Sequence, residues 1–442
     1  MRELHTGNIK SHIIHLSWPM IAANVLQNCA AGFEMYLIGK INLEALAAFA
    51  IVTSSFYGLY LSLHGGLINA AIAMTSRYAG RGNHAELNRA VAQMLVFAVL
   101  IFGLFSLAFY IFMDPMLVFF GAKGAVFAMA KEYTSILLLG FLPFAIFSIF
   151  LAALRGAGDS ITPLKVVGIM CVFWAALNYL FIIKLNLGLK GAALTGVCVN
   201  TLMALIYGFV FVKGRHFFKL KAEYFRPDKM LFNTFAVLSS KAVLQGFVFD
   251  ASSMLMLKLI SGYGNAFIAA YGIVLRVGYF VMMIGWPIGN SGGVVVGHNL
   301  GAGHKDRAMQ VVKDAAAVFS AFTIPVSIVY FFFPGFVLGL FTDDPATVNY
   351  GMYFMRTMAF ALPLMGAGLM AQSAFNGAGA IGFSLILSSI VYWPVRIVMA
   401  LVFPMTAMKE YGIFWAMSLS LIFFAFIYWF YYGRRNWMNR EF

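Results

Sequence analysis

The stretch SWPMIAANVLQNCAAGFEMYLIGK, residues 17–40, decides how the rest of the chain is interpreted. It is long enough to cross a bilayer as an α-helix, which takes about 20 predominantly apolar residues. It also contains Gln27 and Glu34, which are seven residues apart. This spacing is about two helical turns and places them on one helix face. Because a carboxyl group in lipid is costly, such residues face a bundle interior or a water-filled cavity. The pattern predicts an ion or substrate site inside a transporter, or a carboxylate near the membrane edge that a neighbouring helix satisfies.

The composition extends this interpretation to the whole chain. Of its 442 residues, 62% are hydrophobic and 10% are charged, whereas a soluble domain carries about 25% charged residues. The apolar runs are long and do not alternate, so helices rather than a β-barrel should cross the membrane. We predict an all-α polytopic membrane protein with twelve spans, at residues 13–38, 46–76, 90–113, 130–154, 163–185, 191–213, 233–260, 266–297, 311–334, 347–376, 382–404 and 411–432.

Basic residues predict the orientation of these spans. If the N-terminus is cytoplasmic, the outside loops hold only Lys40, Lys123, Lys131, Lys184, Lys190 and Lys409. The inside segments hold the rest of the loop lysines and arginines, among them Arg2, Arg77, Arg155, Arg215, Lys305 and Arg440. Cytoplasmic loops are enriched in Lys and Arg, so we expect both termini inside, at the cell inner membrane. The net charge of +14 therefore reflects membrane topology and does not indicate nucleic acid binding.

The longest polar segment between spans, residues 214–230, is predicted to be a cytoplasmic linker. Lysines and arginines alternate in it with aromatic residues such as Phe218, Tyr224 and Phe225. Such a composition is typical of a segment lying on an anionic membrane surface.

The chain repeats itself on either side of this linker. Residues 79–82 (AGRG) return as residues 300–303 (LGAG), and residues 156–158 (GAG) return at the same offset as residues 377–379 (GAG). Each half contains an even number of spans, so both halves enter the membrane in the same direction. They are therefore parallel repeats, and such transporters bind substrate near the membrane midplane.

The repeat predicts three parts: a six-helix bundle at 1–213, the linker at 214–230, and a second six-helix bundle at 231–442. It also pairs Glu34 in span 1 with Asp250 in span 7, since each follows a phenylalanine at corresponding positions. Two isolated carboxyl groups at equivalent intramembrane positions argue against a passive membrane scaffold or receptor, because a scaffold gains nothing from their cost.

Enzyme-like motifs occur but lack the required context. Residues 289–293 (GNSGG) fit the G-x-S-x-G pattern, yet no strand-turn-helix can be read around them. Glycines at every fourth position there suit close helix packing instead: Gly285, Gly289, Gly293 and Gly297. Residues 156–159 (GAGD) resemble an intramembrane protease motif, but the repeat partner lacks the aspartate. The absence of a P-loop excludes ATP as the energy source on this chain, and we expect no cofactor.

Cys29, Cys171 and Cys198 lie in apolar runs without paired spacing. We interpret them as small buried hydrophobes, so the sequence predicts neither a disulfide framework nor a metal site.

The polar residues inside the predicted spans are the candidates for function. They are Gln27, Glu34, His64, Asn178, Asp250, Lys258, Arg276, Arg356 and Arg396. His64 could relay protons or be a hydrogen-bonded structural residue. The four basic residues all lie in the second half, where they could neutralise helix ends and Asp250 or attract an anionic group.

Four features together resemble the multidrug and toxic compound extrusion (MATE) family. They are Gln27-x6-Glu34-x4-Gly39 in span 1, residues 154–159 (LRGAGD) after span 4, residues 269–273 (AAYGI) opening span 8, and the twelve-span repeat. The resemblance implies two six-helix bundles around a V-shaped cavity. It also implies exchange of protons or sodium for amphiphilic drugs and metabolites.

The resemblance further implies roles for individual residues in the first and seventh spans. Glu34 falls where the family usually has an essential aspartate, and Gln27 falls where a substrate-contacting glutamine often sits. Asp250 falls on the span-7 acid of one subgroup. We therefore expect ion coupling at Glu34, Asp250 and His64.

Other positions depart from the family pattern. Span 5 often carries an asparagine and an aspartate four apart, but Trp174 and Asn178 occupy those places, and Met365 replaces a span-10 acid of one subgroup. We expect substrate contacts at Gln27, Trp174, Asn178, Arg276 and Arg356. Lost oxygen ligands favour protons over sodium, with Glu34 as the centre and a hydrogen bond from Gln27 or Asn178 modulating its protonation.

The sequence thus predicts a monomeric antiporter whose partners are a small amphiphilic substrate, protons or sodium, and membrane lipids. The alternative is a flippase for lipids or lipid-linked sugars from the same wider superfamily, since the second-half arginines would suit an anionic headgroup.

Overall fold

The computed structural model of the protein describes residues 3–214 and 218–439, with the backbone alone for residues 56–59. Arg2, Arg215 and Arg440, which entered the orientation argument, lie outside the described residues. The described chain is almost entirely helical. Its α-helices are α1 (Ile9–Gly39), α2 (Leu43–Val52), α3 (Gly58–Gly80), α4 (His84–Phe119), α5 (Gly124–Gly156), α6 (Ile161–Asn178), α7 (Leu189–Lys213), α8 (Lys229–Ile260), α9 (Asn265–Gly301), α10 (Lys305–Phe332), α11 (Pro334–Gly339), α12 (Pro345–Gly377), α13 (Ile381–Ile390), α14 (Arg396–Val402) and α15 (Gly412–Gly433).

These helices confirm the predicted all-α polytopic membrane fold. Within the described residues, 10 helices are long and apolar enough to cross a membrane, and an eleventh span is formed by a pair bent by 44°, Leu43–Ser55 with Tyr60–Gly80. The 31-residue helix α1 precedes them but is more polar, because Gln27 and Glu34 lie within it. Taken in chain order, α1 and these spans correspond to the twelve predicted ones.

Three spans contain a π-helical segment that the hydropathy pattern does not reveal. The segments are Thr53–Tyr57, Tyr179–Lys184 and Val391–Val395, in spans 2, 5 and 11. A π-helical turn accommodates one extra residue and redirects the side chains around it, and such turns are frequent at functional sites. Asn178 directly precedes the second segment and Arg396 directly follows the third.

The chain divides into two compact units. Among the described residues, unit 1 contains residues 18–214 and 218–240, and unit 2 contains residues 3–17 and 241–439. The first turns of α1 therefore belong to unit 2, and the first turns of α8 belong to unit 1.

Unit 1 is built around α5, which packs on α3, α4 and α7. Its core is rich in aromatic rings, each of which buries a large apolar area. The ring of Tyr60 lies 3.8 Å from Phe141 and meets Phe102 edge-on at 5.2 Å between centroids.

Unit 2 is built around α12, which packs on α9, α10 and α15. The glycine face of α9 allows the close approach that the sequence predicts. A Cβ at Gly285 would lie 2.8 Å from the Phe319 ring, and one at Gly293 would lie 2.8 Å from the carbonyl oxygen of Ser373. The prediction of close packing through these glycines is confirmed.

The linker between the halves is held on α4 by two buried side chains. The Gln93 amide donates to the carbonyl oxygens of Tyr224, at 2.9 Å, and Arg226, at 2.8 Å. The Asn88 oxygen accepts from the backbone amide of Lys219 at 2.8 Å. Phe218 is buried while most of the neighbouring basic side chains are exposed, so the linker has one face on the protein and a cationic face away from it.

The cysteine prediction is wrong at two of three positions. Cys171 is buried, but Cys29 and Cys198 are exposed on the chain. The physical reason is that lipid is as apolar as a helix interior, so an apolar run does not distinguish inward from outward positions in a membrane protein.

Candidate ion-coupling and substrate site

The carboxyl group of Glu34 is buried in unit 1 and is hydrogen-bonded to an indole. Glu34 in α1 is 8% exposed. Nε1 of Trp174 in α6 donates to its Oε2 over 3.1 Å. The indole also approaches α7, since a Cβ on Gly196 would be in van der Waals contact with the Trp174 ring at 3.6 Å. The structure thus brings together two predicted site residues from α1 and α6.

The prediction that Gln27 or Asn178 donates a hydrogen bond to Glu34 is wrong. Among the described residues the donor to Glu34 is Trp174. Gln27 lies two turns earlier on the same helix, about 10 Å along the axis, which is too far for a direct bond. It is partly exposed. Asn178 carries no hydrogen bond from either side-chain atom within the described chain.

Asn178 is nevertheless unusual in its burial. It is 0% exposed, and both its Oδ1 and Nδ2 are enclosed without a hydrogen-bond partner among the described residues. It lies one turn after Trp174 and so shares that residue's helix face. A buried amide without partners is destabilising and calls for an explanation such as a bound water or ion. Oδ1 of Asn178 can accept a hydrogen bond from a water molecule or coordinate a cation.

His64 lies between α3 and α5 in unit 1. Its Nε2 is 2.9 Å from Oγ of Ser148, and its ring centroid is 4.7 Å from that of Phe144. The structure shows no hydrogen bond between His64 and Glu34 in the described part of the chain. His64 is therefore a half-buried imidazole that is bonded to Ser148 and has no described hydrogen bond to Glu34.

The remaining predicted residues lie in unit 2 and are exposed on the chain. Asp250, Arg276 and Arg356 all have accessible side chains, so Asp250 is not the buried equivalent of Glu34. Nε of Arg356 donates to the carbonyl oxygen of Phe331 over 3.4 Å. Phe331 lies in the last turn of α10, where a cation offsets the negative end of the helix dipole. For Arg356, neutralisation of a helix end is therefore observed.

Arg396 is one of the polar residues inside the predicted spans, but it is not one of the predicted ion-coupling or substrate residues. It is 2% exposed. Its Nε donates to Oγ of Ser420 over 3.0 Å, and its guanidinium carbon lies 4.5 Å from the centre of the Tyr392 ring. Tyr392 and Arg396 are an aromatic and a polar residue four positions apart, as are Trp174 and Asn178. This shared spacing is the feature of the sequence that could have identified Arg396.

Sequence reasoning also missed a neutral polar network in unit 2. Gln245 of α8 donates to Oγ of Ser384 at 2.8 Å, and Gln372 of α12 donates to Oγ of Ser388 at 3.0 Å. Both serines are 2.9 Å from the Tyr428 hydroxyl. The network ties α8, α12, α13 and α15 together without any charge.

The protease-like aspartate has a structural role. Oδ1 of Asp159 accepts from the backbone amides of Ile161, at 3.1 Å, and Thr162, at 2.9 Å. These amides belong to the first turn of α6, where a side-chain acceptor caps unpaired N–H groups.

The MatE family model matches residues 19–180 and 242–402. The same model thus matches both halves, in agreement with the internal repeat. The probable multidrug resistance protein YpnP of Bacillus subtilis (strain 168) is 24% identical over 444 residues, which cover 98% of this chain and 96% of that protein. The probable multidrug resistance protein NorM of Rhizobium meliloti (strain 1021) is 28% identical over 409 residues, covering 86% and 84%.

Among solved structures, the Vibrio cholerae MATE transporter VcmN in the bent form has a TM-score of 0.90 and 19% identity over 97% of both chains. At this identity the likeness shows the fold. The predicted family resemblance is confirmed by the model match, which extends over most of both halves. The chain therefore belongs to the MatE family of multidrug efflux transporters.

Proposed function

We propose that this protein is a secondary active antiporter that exports amphiphilic drugs or metabolites in exchange for protons. The observation that carries the proposal is the buried Glu34 carboxyl group, whose described hydrogen-bond donor is the Trp174 indole. A buried ionised carboxylate needs compensation, and a single neutral donor supplies little of it. Glu34 is therefore poised to gain and lose a proton.

Protons are favoured over sodium by the chemistry around Glu34. Sodium is a hard cation and needs several oxygen ligands. The Trp174 indole has an N–H donor and no acceptor oxygen, so its bond to Oε2 occupies that oxygen without adding a ligand. Asn178 supplies one free amide oxygen in the same region of α6. One carboxylate and one amide are sufficient to bind a proton or a water but form a poor sodium site.

Protonation acts as a switch in the proposed cycle. The charged carboxylate holds the neighbouring helices in the state that binds substrate. Neutralising it removes the charge that opposes burial, so the helices repack and substrate affinity falls. One proton thereby biases a two-state equilibrium, and alternating access by rocking of the bundles 1–213 and 231–442 follows from it. Asp250 and His64 take secondary roles in proton movement.

The proposed substrate contacts are Gln27, Trp174, Asn178, Arg276 and Arg356. Trp174 offers a ring face to flat apolar molecules, and Gln27 and Asn178 offer hydrogen bonds. Relatives named for multidrug resistance or multidrug export support drug-like substrates. These names do not favour the flippase alternative.

The proposed setting is the cell inner membrane, with a monomer whose termini and linker 214–230 are cytoplasmic. The distribution of basic residues supports this orientation. In intact cells, an impermeant thiol reagent should label a Lys123→Cys protein and spare a Lys219→Cys protein; the opposite pattern would reverse the topology.

Transport by the purified protein in liposomes tests the function. A cationic dye should accumulate when a pH gradient is imposed without sodium, and should not accumulate under a sodium gradient at equal pH. Accumulation driven by sodium alone would contradict proton coupling. A fluorescent phospholipid in the same liposomes separates the alternative, because a flippase would equilibrate it across the bilayer faster than protein-free liposomes do.

A further inference from the structure

The interior of unit 2 contains a cation that has no counter-charge among the described residues. Arg396 is 2% exposed, and an arginine side chain stays protonated in proteins. In the described part of the chain no carboxylate lies within ion-pair distance of its guanidinium. Burial of a charge is tolerated when an opposite charge or a set of hydrogen bonds compensates it. Arg396 has neither in full.

The contacts of Arg396 satisfy one part of the guanidinium. Nε donates to Ser420, whose own hydroxyl donates to the carbonyl oxygen of Met417 at 2.8 Å. Tyr392 covers one face of the group at 4.5 Å. No hydrogen bond from the two terminal nitrogens is formed within the described residues. Those nitrogens present a planar pair of donors, the geometry that binds carboxylate and phosphate oxygens.

Within unit 2, this cation lies beside the contact between α8 and span 11. In unit 1, α1 meets span 5 through the carboxyl of Glu34 and the indole of Trp174. In unit 2, α8 meets span 11 through Phe249, whose ring lies 5.1 Å from Tyr392. Tyr392 in turn covers Arg396. The contact between these two spans therefore contains a buried acid in unit 1, and in unit 2 it lies beside a buried base.

The Tyr392 ring is held by packing, since Tyr392 is 8% exposed and its ring centroid lies 6.0 Å from that of Phe424. The backbone that carries the ring is held as well. The carbonyl oxygen of Tyr392 accepts from Oγ of Ser252 at 2.7 Å, and Nε1 of Trp393 donates to the carbonyl oxygen of Val248 at 3.2 Å. Both bonds tie the π-helical segment Val391–Val395 to α8. A fixed aromatic face and a fixed hydroxyl hold the guanidinium in one orientation, so its free edge is preorganised for a ligand.

We propose that Arg396 is an anion-binding residue, and that unit 2 binds a small inorganic anion or the carboxylate of an organic molecule at its free guanidinium edge. The residues of the site are Arg396, Tyr392 and Ser420. The proposal concerns binding and does not rest on proton coupling at Glu34.

The test is thermal unfolding of the purified protein during titration with sodium chloride and, separately, sodium benzoate. A ligand that binds the folded state raises the melting temperature in a saturable way. We expect saturable stabilisation by at least one of the two anions in the wild type. Arg434→Gln is the matched control, because it removes an exposed arginine of the same unit that also lies over an aromatic ring, 4.4 Å from the centre of Phe430, and it loses the same charge. It should respond as the wild type does.

Arg396→Gln should lose the saturable response to the anion. Arg396→Lys keeps the charge but loses the planar pair of donors, so its half-saturating concentration should rise at least about tenfold. If Arg396→Gln does not fold, Arg396→Lys and Tyr392→Leu provide the same comparison. Saturation by chloride identifies a small inorganic anion, and saturation by benzoate alone identifies an organic carboxylate. The absence of saturable stabilisation by both anions, or an equal response in Arg396→Gln, overturns the proposal.

Discussion

The Trp174 indole and the Glu34 carboxyl group form a hydrogen bond of 3.1 Å between residues of α6 and α1. It joins the carboxyl group of the first span to an aromatic residue of the fifth span. An indole stabilises an ionised carboxylate by donation, yet it cannot itself accept or release a proton at physiological pH. In the proposed cycle the pair separates two tasks: Glu34 carries the proton, and Trp174 adjusts how readily it is carried.

Replacement of Trp174 by phenylalanine removes the donor and keeps an aromatic ring. A hydrogen bond to the charged form favours that form, so its loss should shift the pH of half-maximal transport upward by about one unit. The pH profile of dye accumulation measures this. Trp429→Phe is the matched control, because the Trp429 Nε1 is buried without a partner in the described chain. A profile for Trp174→Phe that superposes on the Trp429→Phe profile would remove the bond from the mechanism.

Replacement of Asn178 by leucine separates folding from function. The Asn178 amide is buried without described partners, and removing such a group can gain about 1–3 kcal/mol. We expect the Asn178→Leu protein to be as stable as the wild type or more stable, while transport falls at least about tenfold because a water or substrate contact is lost. Melting temperature and dye accumulation are measured on the same preparation. The control is Thr195→Val, which removes a buried hydroxyl bonded within its own helix. Normal transport by Asn178→Leu would leave Asn178 without a role.

His64 should affect the rate of proton movement more than the stability of the fold. His64→Gln can keep a hydrogen bond to Ser148 but cannot become charged. We expect proton-driven transport several-fold slower with an unchanged melting temperature. Ser148→Ala serves as the comparison, since it breaks the bond and leaves the imidazole able to titrate. If Ser148→Ala slows transport as much as His64→Gln does, the role of His64 is structural.

Gln93 should control how firmly the linker is held. It is 1% exposed and donates to the carbonyl oxygens of Tyr224 and Arg226. Its Oε1 also accepts from the backbone amide of Asp228 at 3.3 Å. Loss of these three hydrogen bonds costs about 3 kcal/mol, a factor of about 150 in the population of the released linker. Tryptic cleavage after Lys219 and Lys221 should therefore accelerate in Gln93→Leu. Gln310→Leu, which removes an exposed amide bonded within its own helix, should cleave at the wild-type rate, and an equal rate in both variants would show that Gln93 does not retain the linker.

The sequence was sufficient to predict the order of the spans and the burial of Glu34, because both follow from the cost of polar groups in lipid. It could not predict the π-helical breaks next to Asn178 and Arg396, since one inserted residue leaves the hydropathy of a span unchanged. It also could not predict the donor to Glu34. A count of oxygen ligands registers Trp174 only as a position without an oxygen, whereas its N–H group donates the hydrogen bond to Glu34.

The difference between Asp250 and Glu34 shows the same limit. Their positions in the repeat are equivalent, but Glu34 is buried and Asp250 is exposed. A repeat in sequence specifies which residues occupy corresponding places on the backbone. The environment of each depends on the residues around it. Glu34 is bonded to Trp174, whereas in the other half Tyr392 packs on Phe249, the residue before Asp250. Arg396 was overlooked for this reason, because hydropathy does not say which face of a span is buried.

Dye accumulation by a Glu34→Gln protein under an imposed pH gradient tests proton coupling at Glu34 most directly. Glutamine keeps the shape of the side chain and can accept from Trp174, but it cannot exchange a proton. We predict that Glu34→Gln loses proton-driven accumulation while dye binding to the purified protein persists, and that Asp250→Asn, the matched change at the repeat position, retains part of the accumulation. A Glu34→Gln protein that still concentrates the dye against its gradient would contradict the account.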